Sequence, residues 1–444
     1  MSAIIHNSFR KYNADNFITS VGINKVYLMI GKDSAWSGAS AGEYAETTPT
    51  DAVIPIPIDT ISSQYIHHSD MIAAKLIPAS NVSHVIKRVN WVSGTIYVEY
   101  NDLQDDIIDQ DFFIFSENSY RVYKCISNYG GVASTVEPTG VSTDIIETAD
   151  NYRWKFMFEV PQGDVLKFVT SDWIPVQSPA DASTDQESVE NASVNGALDH
   201  ISVTNGGTGY KYRTGTVQSG TGTSVVLDLG ADGNDDFYNG LNIFITSGEG
   251  NGQLRTITDY DGTSKQCTID SALVTDLNAT SEFSVAPVVT ITPSGGSGTL
   301  AVARVSNVDA GVIKKISMVT IGSEYRFVTA SVDSGGTGSG VVVTPIIAPP
   351  GGHGSDAVGE LGGAFVMLNA RLIGNEGADF PVGDDFRKVH LLSNPTTGGI
   401  AATGTTYNAQ EIDDGTGSII YTEFRTPINR ASDSTEDIKL VVEF

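Results

Sequence analysis

The 444-residue chain has only two cysteines, Cys125 and Cys267. They lie far apart and fit neither a disulfide framework nor a zinc-ligand spacing. Such sparing use suits folding in a reducing cytoplasm. Cations are scarce too: 26 Lys plus Arg stand against 53 Asp plus Glu, a formal charge of −27. A surface that acidic repels phosphate backbones and anionic lipid, so neither nucleic acid nor a membrane is an expected partner. No apolar run approaches the ~18 residues that a membrane-spanning helix requires. The opening "MSAIIHNSFRKYNADNF" lacks the apolar stretch and small-residue cleavage site of a signal peptide.

Glycine is plentiful, at 46 residues, and is set among Thr, Ser, Val and Ile. An apolar fraction of 40% is enough to build cores and argues against wholesale disorder. The length suggests two or three domains. Runs of β-branched residues punctuated by glycine predict short strands and tight turns, a mainly β protein with a few short helices and long loops.

Near the start, Phe9, Tyr12, Asn16 and Phe17 recur at helical spacing, and "KVYLMIGK" (25–32) reads as a buried strand. "SDMIAAKLIPAS" offers Ser69 as an N-cap, helix formers after it and Pro78 as a stop, which predicts a helix. "GTIYVEY", "DFFIFS" and "SYRVYKCIS" read as strands. In "YRWKFMFEVP" Trp154, Phe156 and Phe158 alternate, as on a half-buried strand. Residues 178–199 are polar and acidic, the composition of a linker. At the other end Ile438, Leu440, Val442 and Phe444 alternate, so a strand is expected there.

From 200 to 347 the texture changes to Gly, Thr, Ser and Val, and an internal repeat emerges. "ISVTNGGTGYKYRTGTVQSG" (201–220) aligns with "ISMVTIGSEYRFVTASVDSG" (316–335) at one constant offset, matching Ile201 to Ile316 and Tyr210 to Tyr325. This reading makes 200–347 an all-β insert in a discontinuous core of 1–199 and 348–444. Its repeats are 201–229 and 288–345, with a hairpin module at 230–287.

"VTNGGTGY" (203–210) invites comparison with phosphate-cradling loops, yet no Lys-Ser/Thr pair follows it and no helix pattern opens after it. The repeat replaces its glycines at 206 and 209 with Ile321 and Glu324, a change that a turn tolerates and a phosphate site does not. "DGNDD" places Asp232, Asn234 and Asp236 as a calcium loop would, without the later Gly and Glu, so a solvated turn is expected. His67 and His68 are adjacent rather than on one face, and the pair reads as a helix N-terminus capped by Ser69. Asp105, Asp106, Asp109 and Asp111 could supply paired carboxylates for polysaccharide cleavage, although carboxylates crowded in one polar segment usually form a solvated loop. Tyr210, Tyr212, Tyr260 and Phe327 could stack on sugars in a receptor-binding module, or fill small β cores. No catalytic, cofactor-binding or metal-binding residues are therefore expected.

Five stretches, "NKVYLMIGKDSAWS", "SYRVYKCISN", "DNYRWKFMFEVP", "DFRKVHLLSNP" and "IIYTEFRTPINRASDSTEDIKLVVEF", together resemble the baseplate wedge subunit of contractile-tailed bacteriophages, the gene-product-eight family, in order along the chain. The resemblance implies a β-sandwich-type core, a homodimer, other wedge proteins as partners and no catalysis. It also implies a virion location in the tail baseplate, with assembly in the host cytoplasm. Residues 200–347 depart from that family pattern.

Overall fold

A computed structural model describes residues 6–36, 51–57, 61–177, 184–294, 298–372, 380–397, 400–401, 412–413, 415–430, 432 and 437–444. Strands make up 44% of the described residues and helices 12%, so the fold is mainly β as the glycine and β-branched pattern predicts. The chain forms two compact units, one from 1–88, 160–177 and 361–444, the other from 89–159 and 178–360.

The first unit holds two four-stranded antiparallel sheets. One runs Met71–Leu76, Val26–Gly31, Asp385–Ser393, Ser418–Asn429. The other runs Asp437–Glu443, Phe365–Arg371, Val82–Lys87, Trp173–Pro175. Alternate residues of both sheets meet in one core: Val26, Leu28 and Ile30 with Val389 and Leu391, against Val366, Leu368 and Ala370 with Leu440 and Val442. A period of two therefore sends one face of each sheet inward, which is a sandwich. The helix Asn7–Ile23 adds Ala14 and Val21 to that core. His84 anchors it by facing Asp15 Oδ1 at 2.8 Å, while its other ring nitrogen meets the Gly363 carbonyl.

The helix expected after Ser69 is not there. A helix spans Ile61–Ser69, and Met71–Leu76 is a strand paired with Val26–Gly31. Helix propensity in "MIAAKL" is a weak prior, and an available sheet edge overrides it. Ser69 thus sits at the helix C-terminus, where its hydroxyl donates to the Ile66 carbonyl.

Among the described residues, the second unit contains four sheets built around three cores. Phe113–Ser116, Arg121–Ser127, Arg153–Glu159 and Ile146–Glu147 form one. Trp154, Phe156 and Tyr123 fill its interior with Tyr97 and Tyr152. The strand Arg153–Glu159 is buried on both faces, Lys155 and Met157 included, rather than half-buried. "GTIYVEY" forms no strand: Thr95 makes one isolated bridge to Ser134, and Tyr97 and Tyr100 bury their rings from irregular backbone. Of the expected linker, 178–183 lies outside the described residues. The rest is the helix Thr184–Asn191, pinned by fully buried Val189, and the start of the strand Leu198–Thr208.

A seven-stranded sheet between Arg213 and Ala286 encloses Tyr238, Ile243, Ile257, Tyr260 and Phe283. A four-stranded sheet orders Val312–Thr320, Val302–Asp309, Val288–Ser294 and Phe327–Asp333. It shares a core with the pair Leu198–Thr208 and Ser339–Ile347, in which Ile201 and Ile316 are both buried.

Candidate functional site

The glycines at 206 and 207 lie within a strand and do not form the expected turn. Leu198–Thr208 runs through them, paired with Ser339–Ile347 across a bulge at Val342/Val343. A Cβ on Gly206 would collide with the Ile313 carbonyl, and one on Gly207 with the Ser339 carbonyl. The backbone N–H of Gly207 is taken by Asn205 Oδ1 at 2.9 Å. Neighbouring backbone, rather than an open cradle, explains these glycines.

The repeat preserves this geometry. Gly207 and Gly322 have φ of 61° and 62°, and Glu324 adopts 62° where its counterpart Gly209 has 76°. Both tyrosines are latches. The Tyr210 hydroxyl accepts from the Val341 N–H, and the Tyr325 hydroxyl from the Ala301 N–H, each at 3.2 Å. A Cβ on Gly338 would overlap the first ring, and one on Gly298 the second. Removing either hydroxyl leaves a backbone N–H without its partner. Tyr210→Phe and Tyr325→Phe are each expected to cost about 1–2 kcal/mol. Urea unfolding checks this, and an unchanged midpoint in both variants would show that the hydroxyls carry no weight.

The remaining sequence candidates do not converge. Asp232 Oδ1 accepts from Asn234 N at 2.9 Å, closing its own turn, while Asp236 Oδ1 accepts from Asn239. Asp105, Asp106, Asp109 and Asp111 are exposed around a short 3-10 turn, Ile107–Asp109. Tyr210 and Tyr260 are core residues, and the Tyr212 hydroxyl donates to the Ser306 carbonyl; Phe327 alone of the four aromatics is exposed. Both cysteines are buried, which pushes the Cys267 thiol up to about 12 and Cys125 upward as well. Among the described residues, no group of three or more His, Cys, Asp or Glu is placed to hold a metal ion.

Two buried polar clusters escaped the sequence reasoning. In the second unit, Lys124 pairs with Glu360 in the interior. Lys155 donates to the Thr143 carbonyl at 2.5 Å, and Arg153 to the Asp199 carbonyl at 2.8 Å. His353 stands edge-on to Tyr100, with ring centroids 4.9 Å apart. Burial lowers the pKa of both lysines and raises that of Asp199. Burial, then the cations at 124, 155 and 153, holds His353 well below the usual histidine range. A lysine amid "RVYKCI" or "RWKFMF" was the only sequence signal, since each partner lies far along the chain.

In the first unit, His67 packs against His390 with ring centroids 4.3 Å apart, and Phe424 closes the group. Lys388 reaches Asp70 Oδ2 at 2.5 Å beside them. Burial, reinforced by Lys388, lowers the His67 pKa to about 4, and burial with His67 lowers that of His390 to about 2. An unfolded histidine titrates near 6.5, so below that pH the unfolded chain binds more protons. The contribution of these two histidines is therefore complete above about pH 6.5 and is lost as the pH drops through 4 toward 2. We expect the urea midpoint to fall across this window, and to fall less in His67→Phe. Identical slopes for variant and parent would remove the histidines from the account.

A cleft of about 550 Å³ opens in the first unit, lined by Trp173, Phe380, Phe386, Ile428 and Leu440 among others, with Arg425, Arg430 and Lys439 also at its wall. Most of its lining falls between residues 372 and 441. A family model described as "Bacteriophage T4, Gp8" matches residues 369–444. That region supplies the strands Asp385–Ser393, Ser418–Asn429 and Asp437–Glu443 of the sandwich. The chain is also 22% identical over 218 residues to "Baseplate wedge protein gp8" of Enterobacteria phage T4, across 41% of this chain. It spans 63% of that relative's length. The likeness to a baseplate wedge protein thus includes the C-terminal strands that close the sandwich of the first unit.

Proposed function

We propose that this chain is a structural component of a phage tail baseplate wedge that assembles with other wedge subunits as a homodimer and performs no catalysis. It resides in the virion and joins the baseplate in the host cytoplasm. The observation that carries the reading is the family match at 369–444, falling on the strands that build the sandwich. The similarity to a relative named as a baseplate wedge protein is consistent with it. An acidic surface, with a formal charge of −27, keeps such a subunit soluble until it meets its partners. Residues 200–347 are read as an all-β insert in that subunit.

The test is mass determination by light scattering, together with co-purification from cells expressing the neighbouring tail genes. A dimeric mass and recovery with wedge subunits are expected. A monomer absent from purified tails would end the proposal.

A further inference from the structure

We infer that Lys124 and Glu360 become joined by an isopeptide bond that the folded protein forms by itself. The two side chains are 0% and 3% exposed, the only ion pair among the described residues with both ends so deeply buried. Lys124 Nζ touches Glu360 Oε2 directly. The other carboxyl oxygen, Oε1, accepts from the backbone N–H of Gly354 at 2.8 Å and of Asp356 at 3.2 Å. The Tyr100 ring lies 4.9 Å from Nζ and walls off one side, with His353 against that ring.

Nucleophile, electrophile and oxyanion donors are thus held together in a dry site. Separated charges are costly there. Moving one proton from Nζ to the carboxylate leaves an amine and a carboxylic acid, which are the reactive forms. The amine lone pair attacks Cδ, and Oε1 takes the developing negative charge. The Gly354 and Asp356 N–H groups already point at that oxygen and stabilise it as preorganised donors do. Collapse breaks the Cδ–Oε2 bond, and Oε2 leaves as water with the protons lost from nitrogen. One C–N bond forms, one C–O bond breaks, and no oxidant or cofactor takes part. Contact between the reacting groups removes the entropic barrier that a bimolecular amide synthesis faces. Asp199 acts on Lys124 and Lys155 electrostatically, and burial raises its pKa. The bond would close a span of 236 residues.

The experiment is intact-mass spectrometry of the full chain under denaturing conditions, followed by tandem sequencing of a digest. A mass one water below that of the sequence is expected, with a branched peptide joining the segments around 124 and 360. Lys124→Arg should restore the full mass. A wild-type mass equal to the sequence, both fresh and after long incubation, overturns the inference and leaves a plain ion pair. A water deficit that persists in Lys124→Arg, with no branched peptide, overturns it equally. The wild-type mass decides even if a variant fails to fold.

Discussion

Deleting residues 437–444 should leave the first unit unable to hold its fold. The strand Asp437–Glu443 pairs residue by residue with Phe365–Arg371 along its full length. Leu440 and Val442 are buried in the sandwich core, with Ile438 and Phe444 packed against it. Arg10 of the N-terminal helix donates to the Phe444 carbonyl at 2.6 Å and pairs with Glu443. Phe444 also meets Phe17, with ring centroids 5.2 Å apart. Each fully buried aliphatic side chain contributes roughly 1.5–3 kcal/mol. With the ladder hydrogen bonds, the loss reaches about 5–10 kcal/mol, comparable to the whole stability of a typical domain. Limited proteolysis read by mass spectrometry checks this. Cuts should appear in 26–31 and 385–393, which the full-length chain protects. A truncated chain with the same protection and the same denaturant midpoint would refute the assignment. The point substitution Leu440→Ala should cost about 2–5 kcal/mol by the cavity it leaves.

Trp154→Ala should be the most damaging single substitution in the second unit. The indole is fully buried, lies stacked on Tyr152 at 5.3 Å between centroids, and meets Tyr97 edge-on at 5.7 Å. Truncating a large buried aromatic costs about 3–5 kcal/mol, and two lost ring pairs add about 0.5–1.5 kcal/mol each. Trp154→Phe should cost much less. It keeps most of the packing, and the indole N–H it removes has no hydrogen-bond partner among the described residues. Phe327→Ala is the control: that ring is 69% exposed, and its loss should stay within about 0.5 kcal/mol. Urea midpoints give the ranking, and a Trp154→Ala midpoint equal to that of Phe327→Ala would contradict it.

The features legible in the sequence were those written in short-range periodicity. Alternation at 438, 440, 442 and 444 located a strand that the structure places in the sandwich. The constant offset between 201–220 and 316–335 located two tyrosines with equivalent bonding. Period and offset failed where a distant partner decided the outcome. "MIAAKL" is a strand because Val26–Gly31 offers it an edge. "VTNGGT" continues as a strand because Ser339–Ile347 pairs with it. The buried clusters were invisible for the same reason. Nothing in "HHSD" announces His390, and nothing around Lys124 announces Glu360, yet the fold puts each in contact. Individual polar residues in apolar runs mark such places, but they do not name the partner.

The central pairing of the first sandwich joins Val26–Gly31 to Asp385–Ser393. A nascent chain emerging from the ribosome can pair one edge of that strand early, with Met71–Leu76, but the other edge stays open until residues 385–393 have been translated. Pairing over such separations is slow, and unpaired edges invite aggregation. The second unit, whose residues 89–159 and 178–360 emerge earlier, can mature first. Premature termination between residues 361 and 384 would then release a product with one finished unit and one adhesive remnant, a natural substrate for chaperones or proteases.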